Sequence, residues 1–244
     1  MESLPEDARA VGVGAAGGIG AALVEALVAD PRIARVDALS RRPIAASDKV
    51  VPGAIDLTDE ASIEAAAGRL DPGPLDLVLV ASGVLHDAAA GLSPEKTWRH
   101  LDAAALERAF RVNAIGPALV AKHLLPRLAR DRKAVFAALS ARVGSIEDNR
   151  LGGWYGYRAS KAALNQLIRT SAIELARRRP QALCVALHPG TTDTALSEPF
   201  QANVPEGKLF SPAFVAERLL RVLDELDAEG SGGFYAWDGA RIPF

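Results

Sequence analysis

Seven short runs of nearly continuous apolar residues alternate along the chain with longer stretches of helical periodicity. The runs span residues 8–13, 33–39, 50–55, 75–81, 134–140, 182–188 and 234–237. Strands that are covered on both faces have this pattern, as in a parallel sheet. The alternation predicts an α/β fold: a Rossmann-type doubly wound, mostly parallel seven-stranded sheet with helices on both faces.

The stretch 159–176 shows the helical spacing clearly, because its apolar residues recur at intervals of three and four. No internal repeat, low-complexity segment or Gly/Ser linker interrupts the chain, so we expect one domain over residues 1–244. Residues 191–211 are polar and contain Pro199 and Pro205. We predict a loop or a short-helix excursion there.

Composition excludes several classes of function. The 244 residues are 49% hydrophobic and 24% charged, with a net charge of −2. Proteins that bind nucleic acids or membrane surfaces usually carry an excess of basic residues instead. We therefore expect no nucleic-acid partner and no membrane partner, and the longest apolar runs are too short to span a bilayer. The single Cys184 and the polar beginning MESLPEDAR predict a cytoplasmic protein without a signal peptide.

A glycine-rich turn, VGVGAAGGIG, connects the first apolar run to a helical stretch. Gly14, Gly18 and Gly20 let the chain turn tightly and let its backbone approach a pyrophosphate, while the helix that begins near Ile19 directs N–H groups at the anion. Glycines also relieve crowding between a helix and a strand. At the first βα turn of such a chain, however, we expect a dinucleotide site.

The end of the second run indicates which dinucleotide binds. An acidic residue for a ribose 2′-hydroxyl is expected about 20 residues after the glycines, but Ser40, Arg41 and Arg42 occupy that place and Asp37 lies too early. A hydroxyl and an arginine suit a 2′-phosphate, so we predict NADP(H), with NAD(H) as the second choice. Two solvated arginines are the alternative interpretation. Asp56 is placed either to cap a helix or to touch the adenine.

Tyr157 and Lys161 are four residues apart, so on a helix their side chains lie on the same face. The positive charge of the lysine favours the phenolate and is expected to lower the pKa of the tyrosine. Such a tyrosine can protonate a carbonyl oxygen while a hydride reaches the carbonyl carbon. Tyr155 lacks a lysine one turn further on.

Together these motifs resemble those of the short-chain dehydrogenase/reductase superfamily, over nearly the whole chain. The resemblance is carried by GAAGGIG at 14–20, RVNAIGP around Asn113, YGYRASK at 155–161 and HPGTTDT at 188–194. Within the superfamily, the chain is most similar to the C-factor and sniffer-type carbonyl reductase group.

The resemblance implies a role for each matching residue. Tyr157 acts as the general acid/base, Lys161 lowers its pKa and holds the nicotinamide ribose, and Asn113 anchors a water in the proton relay. Gly83 lets the cofactor approach after the fourth strand. The segment that closes over the nicotinamide and pyrophosphate contributes Pro189, Gly190, Thr192 and Thr194. Stabilising a helix kink near Gly116 is the alternative role for Asn113, and helix capping is the alternative for the threonines.

Two departures from the family pattern concern the ends of the fourth and fifth strands. VASGV at 80–84 lacks the usual asparagine pair, and Ala141 stands where the resemblance places a serine, three residues before Gly144. Alternation along a strand turns the neighbouring Ser140 to the opposite face. We keep Ser140 as a candidate catalytic residue, because a bulge would redirect it; Ser145 lies beyond the turn.

The leading hypothesis is an NADPH-dependent carbonyl reductase that acts on a small-molecule carbonyl substrate. Ala141 also suggests two alternatives: a dinucleotide-binding signalling protein with vestigial reductase activity, and a dihydropteridine-reductase-like enzyme. Specificity is expected in loops 84–100 and 191–211, where Trp98 or Trp154 could line the pocket. The resemblance implies a homodimer or homotetramer. The four histidines are scattered, so no metal site is expected.

Overall fold

The computed structural model describes residues 1–88 and 91–244, and within them the chain forms nine strands and six α-helices. The strands are β1 (Ala8–Val13), β2 (Ile33–Ser40), β3 (Val50–Ala54), β4 (Leu77–Val80), β5 (Ala134–Leu139), β6 (Ala182–His188), β7 (Thr191–Thr192), β8 (Leu209–Phe210) and β9 (Phe234–Ala236). The α-helices are α1 (Gly18–Ala29), α2 (Glu60–Arg69), α3 (Ala103–Phe110), α4 (Gly116–Leu124), α5 (Tyr155–Ala176) and α6 (Pro212–Glu225).

Seven of the strands form one parallel sheet in the order β3-β2-β1-β4-β5-β6-β9. Strand β1 lies between β2 and β4, so the direction of strand addition reverses there. Ligands of open α/β sheets bind in the crevice at the carboxyl ends of the strands at such a reversal. The predicted fold class is confirmed, and the topology places a crevice beside the glycine-rich turn.

The apolar runs predicted the strands of this sheet to within two residues at each end. The run 182–188 matches β6 at both ends, whereas the run 75–81 is longer than β4 (Leu77–Val80). Leu75 forms only an isolated bridge with Leu128. An apolar run therefore includes buried residues that flank a strand without joining its ladder.

Two hydrophobic cores cover the two faces of the sheet, and β5 contributes to both. Phe136 packs in the core that includes Leu164 and Ile168 of α5, and Val135 packs in the core that includes Leu219 of α6. Neighbouring strand residues point to opposite faces, so a strand covered on both sides must be apolar throughout. Among residues 1–88 and 91–244, no helix is both long and apolar enough to cross a bilayer.

Asp37 lies inside β2, as expected, and serves the fold rather than a ligand. Its side chain is 2% exposed and accepts hydrogen bonds from the Nε and Nη2 atoms of Arg35, the latter at 2.7 Å. A buried carboxylate requires such a partner, because an unpaired charge in the interior is strongly unfavourable.

The predicted excursion at 191–211 contains two elements that the sequence pattern did not predict. Strands β7 and β8 form a separate two-stranded parallel sheet, and a 3₁₀ helix spans Glu198–Asn203 between them. The strands have two residues each, too few for alternation of apolar and polar positions to show.

Two glycines in helices give opposite predictions for the same substitution. A Cβ atom on Gly20 of α1 would lie 2.2 Å from the Gly14 oxygen, whereas a Cβ on Gly68 of α2 would meet nothing within 4 Å. We expect Gly20→Ala to lower the free energy of unfolding by about 1–3 kcal/mol through overpacking. Gly68→Ala should leave it unchanged or raise it by up to about 1 kcal/mol, through helix propensity.

Urea denaturation of the two variants and the parent protein measures both effects. A Gly20→Ala variant as stable as the parent protein would show that the turn tolerates displacement from α1.

Candidate active site

The glycine-rich turn between β1 and α1 forms the first wall of the crevice. Gly14 has φ +81°, and a Cβ there would lie 2.7 Å from the Ala81 oxygen at the end of β4. The Gly17 N–H donates to the Gly14 oxygen at 2.9 Å. Only glycine combines this left-handed backbone with so close an approach, so the turn and the end of β4 are held in direct contact.

The N-terminus of α1 faces this turn without a capping side chain. Gly17 is the N-cap residue, and the first helical turn, which contains Gly18, Ile19 and Gly20, carries no acidic residue in the described chain. The first N–H groups of a helix lack intrahelical acceptors and attract anions. This helix end can therefore hold a phosphate group.

A groove of about 550 Å³ runs along the carboxyl ends of the central strands. Five of the predicted cofactor contacts line it: Gly14, Ser40, Arg41, Asp56 and Gly83. The other predicted contacts do not line it: Gly18, Ile19, Gly20, Tyr157, Lys161, Pro189, Gly190, Thr192 and Thr194. The structure thus brings these five predicted cofactor contacts together in one continuous groove.

The two arginines after β2 have different environments. Arg42 donates through Nη2 to the Ala16 carbonyl oxygen, and its backbone N–H donates to the Ser40 hydroxyl at 3.1 Å. Within the described residues, Arg41 forms no hydrogen bond or ion pair, and its side chain is exposed at the groove. Arg41 is therefore the arginine that is free to receive a phosphate.

Asp56 faces the same end of the groove and does not cap α2. Its Oδ1 accepts hydrogen bonds from the Thr58 N–H at 2.9 Å and the Thr58 hydroxyl at 2.8 Å, and Asp59 caps α2 through the Ala61 N–H. The bond from the Thr58 N–H lowers the pKa of Asp56 most, and the nearby charge of Arg41 acts in the same direction. Asp56 is therefore ionised at neutral pH.

Tyr157 and Lys161 lie on the first turns of α5, with the Lys161 Nζ 5.9 Å from the centre of the Tyr157 ring. The lysine is 2% exposed, and its Nζ donates to the Leu139 carbonyl oxygen at 2.7 Å. A Cβ on Gly83 would lie 3.5 Å from this Nζ. The pair thus lies next to the end of the groove that Gly83 lines, which we call its inner end.

The expected effect of Lys161 on the pKa of Tyr157 is not found. Burial raises the pKa of Tyr157 to about 12 and lowers the pKa of Lys161 to about 7. Desolvation disfavours the charged form of each group, and the lysine directs its hydrogen bond to Leu139. The tyrosine therefore keeps its proton at neutral pH.

Asn113 lies in a π-helical turn, Arg111–Ile115, between α3 and α4. Its Oδ1 accepts from the Val84 N–H at 2.7 Å, and its Nδ2 donates to the Val84 oxygen at 2.9 Å and the Ser160 hydroxyl at 3.0 Å. Ser160 in turn donates to the Tyr157 carbonyl oxygen. Asn113 thus joins the loop after β4 to α5, in addition to its place at the helix junction.

The structure does not bring Ser140 into the site, and this corrects its assignment as a catalytic candidate. The register of β5 on β6 is regular through Leu139, and the Ser140 N–H continues it by donating to the Leu187 oxygen, so the strand has no bulge there. The Ser140 hydroxyl is buried and donates to Asn165 Oδ1 at 2.6 Å. Its orientation follows from the alternation of side chains along the strand.

Two other residues at this end of β5, Ser145 and Ala141, also do not supply the expected hydroxyl. Ser145 is 1% exposed, and its hydroxyl accepts the Asp148 N–H at 3.1 Å within the following turn. Ala141 is partly exposed and has an extended backbone. The position that the family resemblance assigns to a serine therefore has no hydroxyl, and neither neighbour replaces it.

An aromatic cluster lies next to Tyr157. Trp154, the residue before α5, has φ 52°, and its ring centre is 6.3 Å from that of Tyr157 and 5.0 Å from that of Phe200. The left-handed backbone is costly for a residue with a side chain and is typical of functional sites. Trp98 is 69% exposed and takes no part in the cluster.

The segment after β6 packs against both the glycine-rich turn and the inner end of the groove. Gly190 has φ +74°, and a Cβ on Gly18 would lie 2.6 Å from the Thr194 methyl group. The Leu196 Cδ1 lies 3.8 Å from the position of a Cβ on Gly83. The segment 191–203 therefore covers the inner part of the crevice.

Two buried hydroxyl groups beside the crevice lack a hydrogen-bond partner among the described residues: Ser82 Oγ and Thr192 Oγ1. Buried polar atoms nearly always have a hydrogen-bond partner. Two buried hydroxyl groups without a partner therefore indicate a place where a polar ligand binds. Thr192 was predicted from the sequence, but Ser82 was missed. Its signal was a serine that directly follows a central parallel strand, at the end where ligands bind.

Metal chemistry finds no support in the part of the chain that the structure describes. No group of three or more histidine, cysteine, aspartate or glutamate side chains there could hold an ion. His188 is neutral at neutral pH, because burial lowers its pKa to about 4, and its Nδ1 accepts the Arg142 N–H at 3.3 Å.

Comparison with known proteins connects this geometry to one family. The family model described as short chain dehydrogenase matches residues 8–205. The C-signal protein of Myxococcus xanthus is 35% identical over 186 residues, which are 75% of this chain and 100% of that protein. A 1-hydroxy-2-glutathionyl-2-methyl-3-butene dehydrogenase of Rhodococcus sp. (strain AD45) is 33% identical over 197 residues, 80% of each chain.

Solved structures show the same fold. The NADPH-bound carbonyl reductase from chicken fatty liver superposes with a TM-score of 0.86 at 26% identity, over 99% of this chain and 96% of that one. The carbonyl reductase Sniffer of D. melanogaster superposes with a TM-score of 0.82 at 21% identity, over 98% and 100%. The chain therefore belongs to the short-chain dehydrogenase family of oxidoreductases.

Proposed function

We propose that the protein is an NADPH-dependent carbonyl reductase in which Tyr157 donates the proton. The observation that carries this proposal is the protonated, partly buried Tyr157 beside Lys161, next to Gly83 at the inner end of the groove. The 26% identical relative from chicken fatty liver is a carbonyl reductase with NADPH bound, which supports both the reaction and the cofactor.

The crevice fits a nicotinamide dinucleotide phosphate. The uncapped N-terminus of α1 suits the pyrophosphate, the free Arg41 suits a 2′-phosphate, and the unpaired hydroxyls of Ser82 and Thr192 offer partners to polar groups of the ligand. Position 40 carries a serine and not an acidic residue, so the crevice offers the ribose 2′-hydroxyl of NAD(H) fewer hydrogen-bond partners. When bound in this crevice, NADPH would supply the hydride.

The chain's own residues supply the proton and hold the reacting groups. With a pKa of about 12, the Tyr157 hydroxyl is protonated at neutral pH and can donate to the carbonyl oxygen of the substrate. Lys161, whose pKa is about 7, exchanges a proton at Nζ under the same conditions. Asn113 fixes the loop at Val84 against α5.

Ala141 limits which carbonyl groups the site can reduce. A serine hydroxyl at that position would give the substrate oxygen a second hydrogen bond, worth about 1–3 kcal/mol in a desolvated site. With Tyr157 as the remaining donor, we expect carbonyl carbons that accept hydride readily to be reduced faster than unactivated ketones. A dihydropterin is one such acceptor and belongs in the substrate panel.

The second candidate function is a dinucleotide-binding signalling protein with weak reductase activity. It is favoured by the missing hydroxyl at Ala141 and by the likeness to the C-signal protein of Myxococcus xanthus. Oxidation of NADPH with aldehydes, diketones, quinones and a quinonoid dihydropterin separates the two functions. Tight binding of NADPH without turnover of any acceptor would favour signalling.

Replacing the Tyr157 hydroxyl tests the proton donor. We expect Tyr157→Phe to lower kcat by about a hundredfold or more, because the variant lacks the proposed proton donor. The Kd for NADPH, measured by fluorescence titration, should stay within about threefold of the parent value. Tyr155→Phe is the matched control and should keep its activity. Full turnover by Tyr157→Phe would remove the tyrosine from the reaction.

Replacing each arginine in turn tests the choice of cofactor. We expect Arg41→Ala to weaken NADPH binding by about tenfold to a hundredfold while NADH binding hardly changes, because a charged hydrogen bond to the 2′-phosphate is lost. Arg42→Ala should affect both cofactors alike, since Arg42 holds the Ala16 carbonyl. Isothermal titration with the two cofactors measures these ratios. An equal loss for both cofactors in Arg41→Ala would contradict the assignment.

A further inference from the structure

Among the described residues, the N-terminus of α5 lacks a side-chain cap, as do those of α1 and α4, whereas α2, α3 and α6 have one. In α2, α3 and α6 the side chain of the N-cap residue accepts a backbone N–H of the first turn; these residues are Asp59, Asp102 and Ser211. Within the described chain, the N-cap residue of α5, Trp154, makes no such bond, and the first turn contains no acidic residue. Yet this helix carries Tyr157 and Lys161.

A residue from a distant loop makes the missing contacts. Glu95, which lies between β4 and α3, is 5% exposed, and its Oε2 accepts the Gly156 N–H at 3.1 Å. Its backbone carbonyl oxygen accepts the Trp154 N–H at 2.6 Å. Glu95 therefore binds the residue before α5 and a residue of its first turn, and Tyr157 directly follows.

The approach of Glu95 depends on a glycine in the helix. A Cβ on Gly156 would lie 2.9 Å from Glu95 Oε1 and 3.3 Å from the Leu106 side chain of α3. The carboxylate is thus fitted against the backbone of α5, and a buried acceptor in this position also interacts favourably with the positive end of the helix dipole. A side chain shorter by one methylene group would not reach the N–H.

We propose that Glu95 is a positioning residue: its carboxylate replaces the missing cap of α5 and fixes the direction in which the first turn presents Tyr157. The proposal rests on the proposed function in so far as Tyr157 is the proton donor. A small displacement of a reacting group lowers the rate of a proton transfer without a matching loss of ligand affinity.

Two conservative variants test this role, because they separate reach from charge. Glu95→Gln keeps an acceptor oxygen at the same distance and removes the charge; Glu95→Asp keeps the charge and shortens the side chain. Asp102→Ala, which removes the exposed cap of α3, is the control for the loss of a helix cap elsewhere. The measurements are kcat, KM for NADPH, and hydrogen exchange of the Gly156 amide.

We expect Glu95→Asp to lower kcat at least about tenfold, to leave KM for NADPH within about threefold, and to lose amide protection at Gly156. Glu95→Gln should keep both kcat and protection. Asp102→Ala should lose some thermal stability and keep kcat. This split between kcat and KM, with rescue by glutamine, would not arise from a merely structural role.

Glu95→Asp with parental kcat and parental amide protection would overturn the proposal, as would a folded Glu95→Gln with a kcat as low as that of Glu95→Asp. If Glu95→Asp does not fold, Glu95→Gln decides alone: a folded Glu95→Gln whose kcat is about tenfold or more below that of the parent protein would overturn the proposal. A parent protein without any turnover would count against the proposed function instead. Amide exchange would then still decide whether Glu95 holds the first turn of α5.

Discussion

The close packing of α5 on the carboxyl end of β5 is the constraint on which the site depends. A Cβ on Gly144, in the turn after β5, would lie 2.7 Å from Lys161 Cβ and 2.9 Å from its carbonyl carbon. Glycine at this position lets the turn lie against the helix backbone, so the lysine is buried and its Nζ reaches the Leu139 oxygen. Burial then sets the protonation of both Lys161 and Tyr157.

The site separates into two parts that the chain builds from different segments. The groove is lined by the carboxyl ends of β1, β2 and β4, the segments after β3 and β7, and residues of α3 and the turn after it, whereas the proposed proton donor lies on α5. Because different segments supply the two parts, a substitution can lie in one part without touching the other. This is why Ala141 bears on the reaction but not on dinucleotide binding, and why the likeness to the C-signal protein does not by itself choose between reductase and signalling function.

Sequence patterns predicted the features that depend on local order along the chain. Strand β6 was predicted at both ends because a strand covered on both faces is apolar throughout, and Tyr157 and Lys161 were placed on one face because a helix has a fixed period. The partner of Lys161, the unpaired Ser82 and the contact of Glu95 with α5 were not predicted. Each depends on residues far apart in the sequence, which only the packed fold brings together.

Transfer of deuterium from NADPH labelled at the nicotinamide C4 position tests the central claim most directly. The protein is mixed with the labelled cofactor and a panel of activated carbonyl compounds, and the products are analysed by mass spectrometry and NMR. The account predicts a single deuterium on the former carbonyl carbon of at least one product, with an unlabelled proton on its oxygen. Saturating binding of the labelled cofactor, with no deuterium in any product, would contradict it.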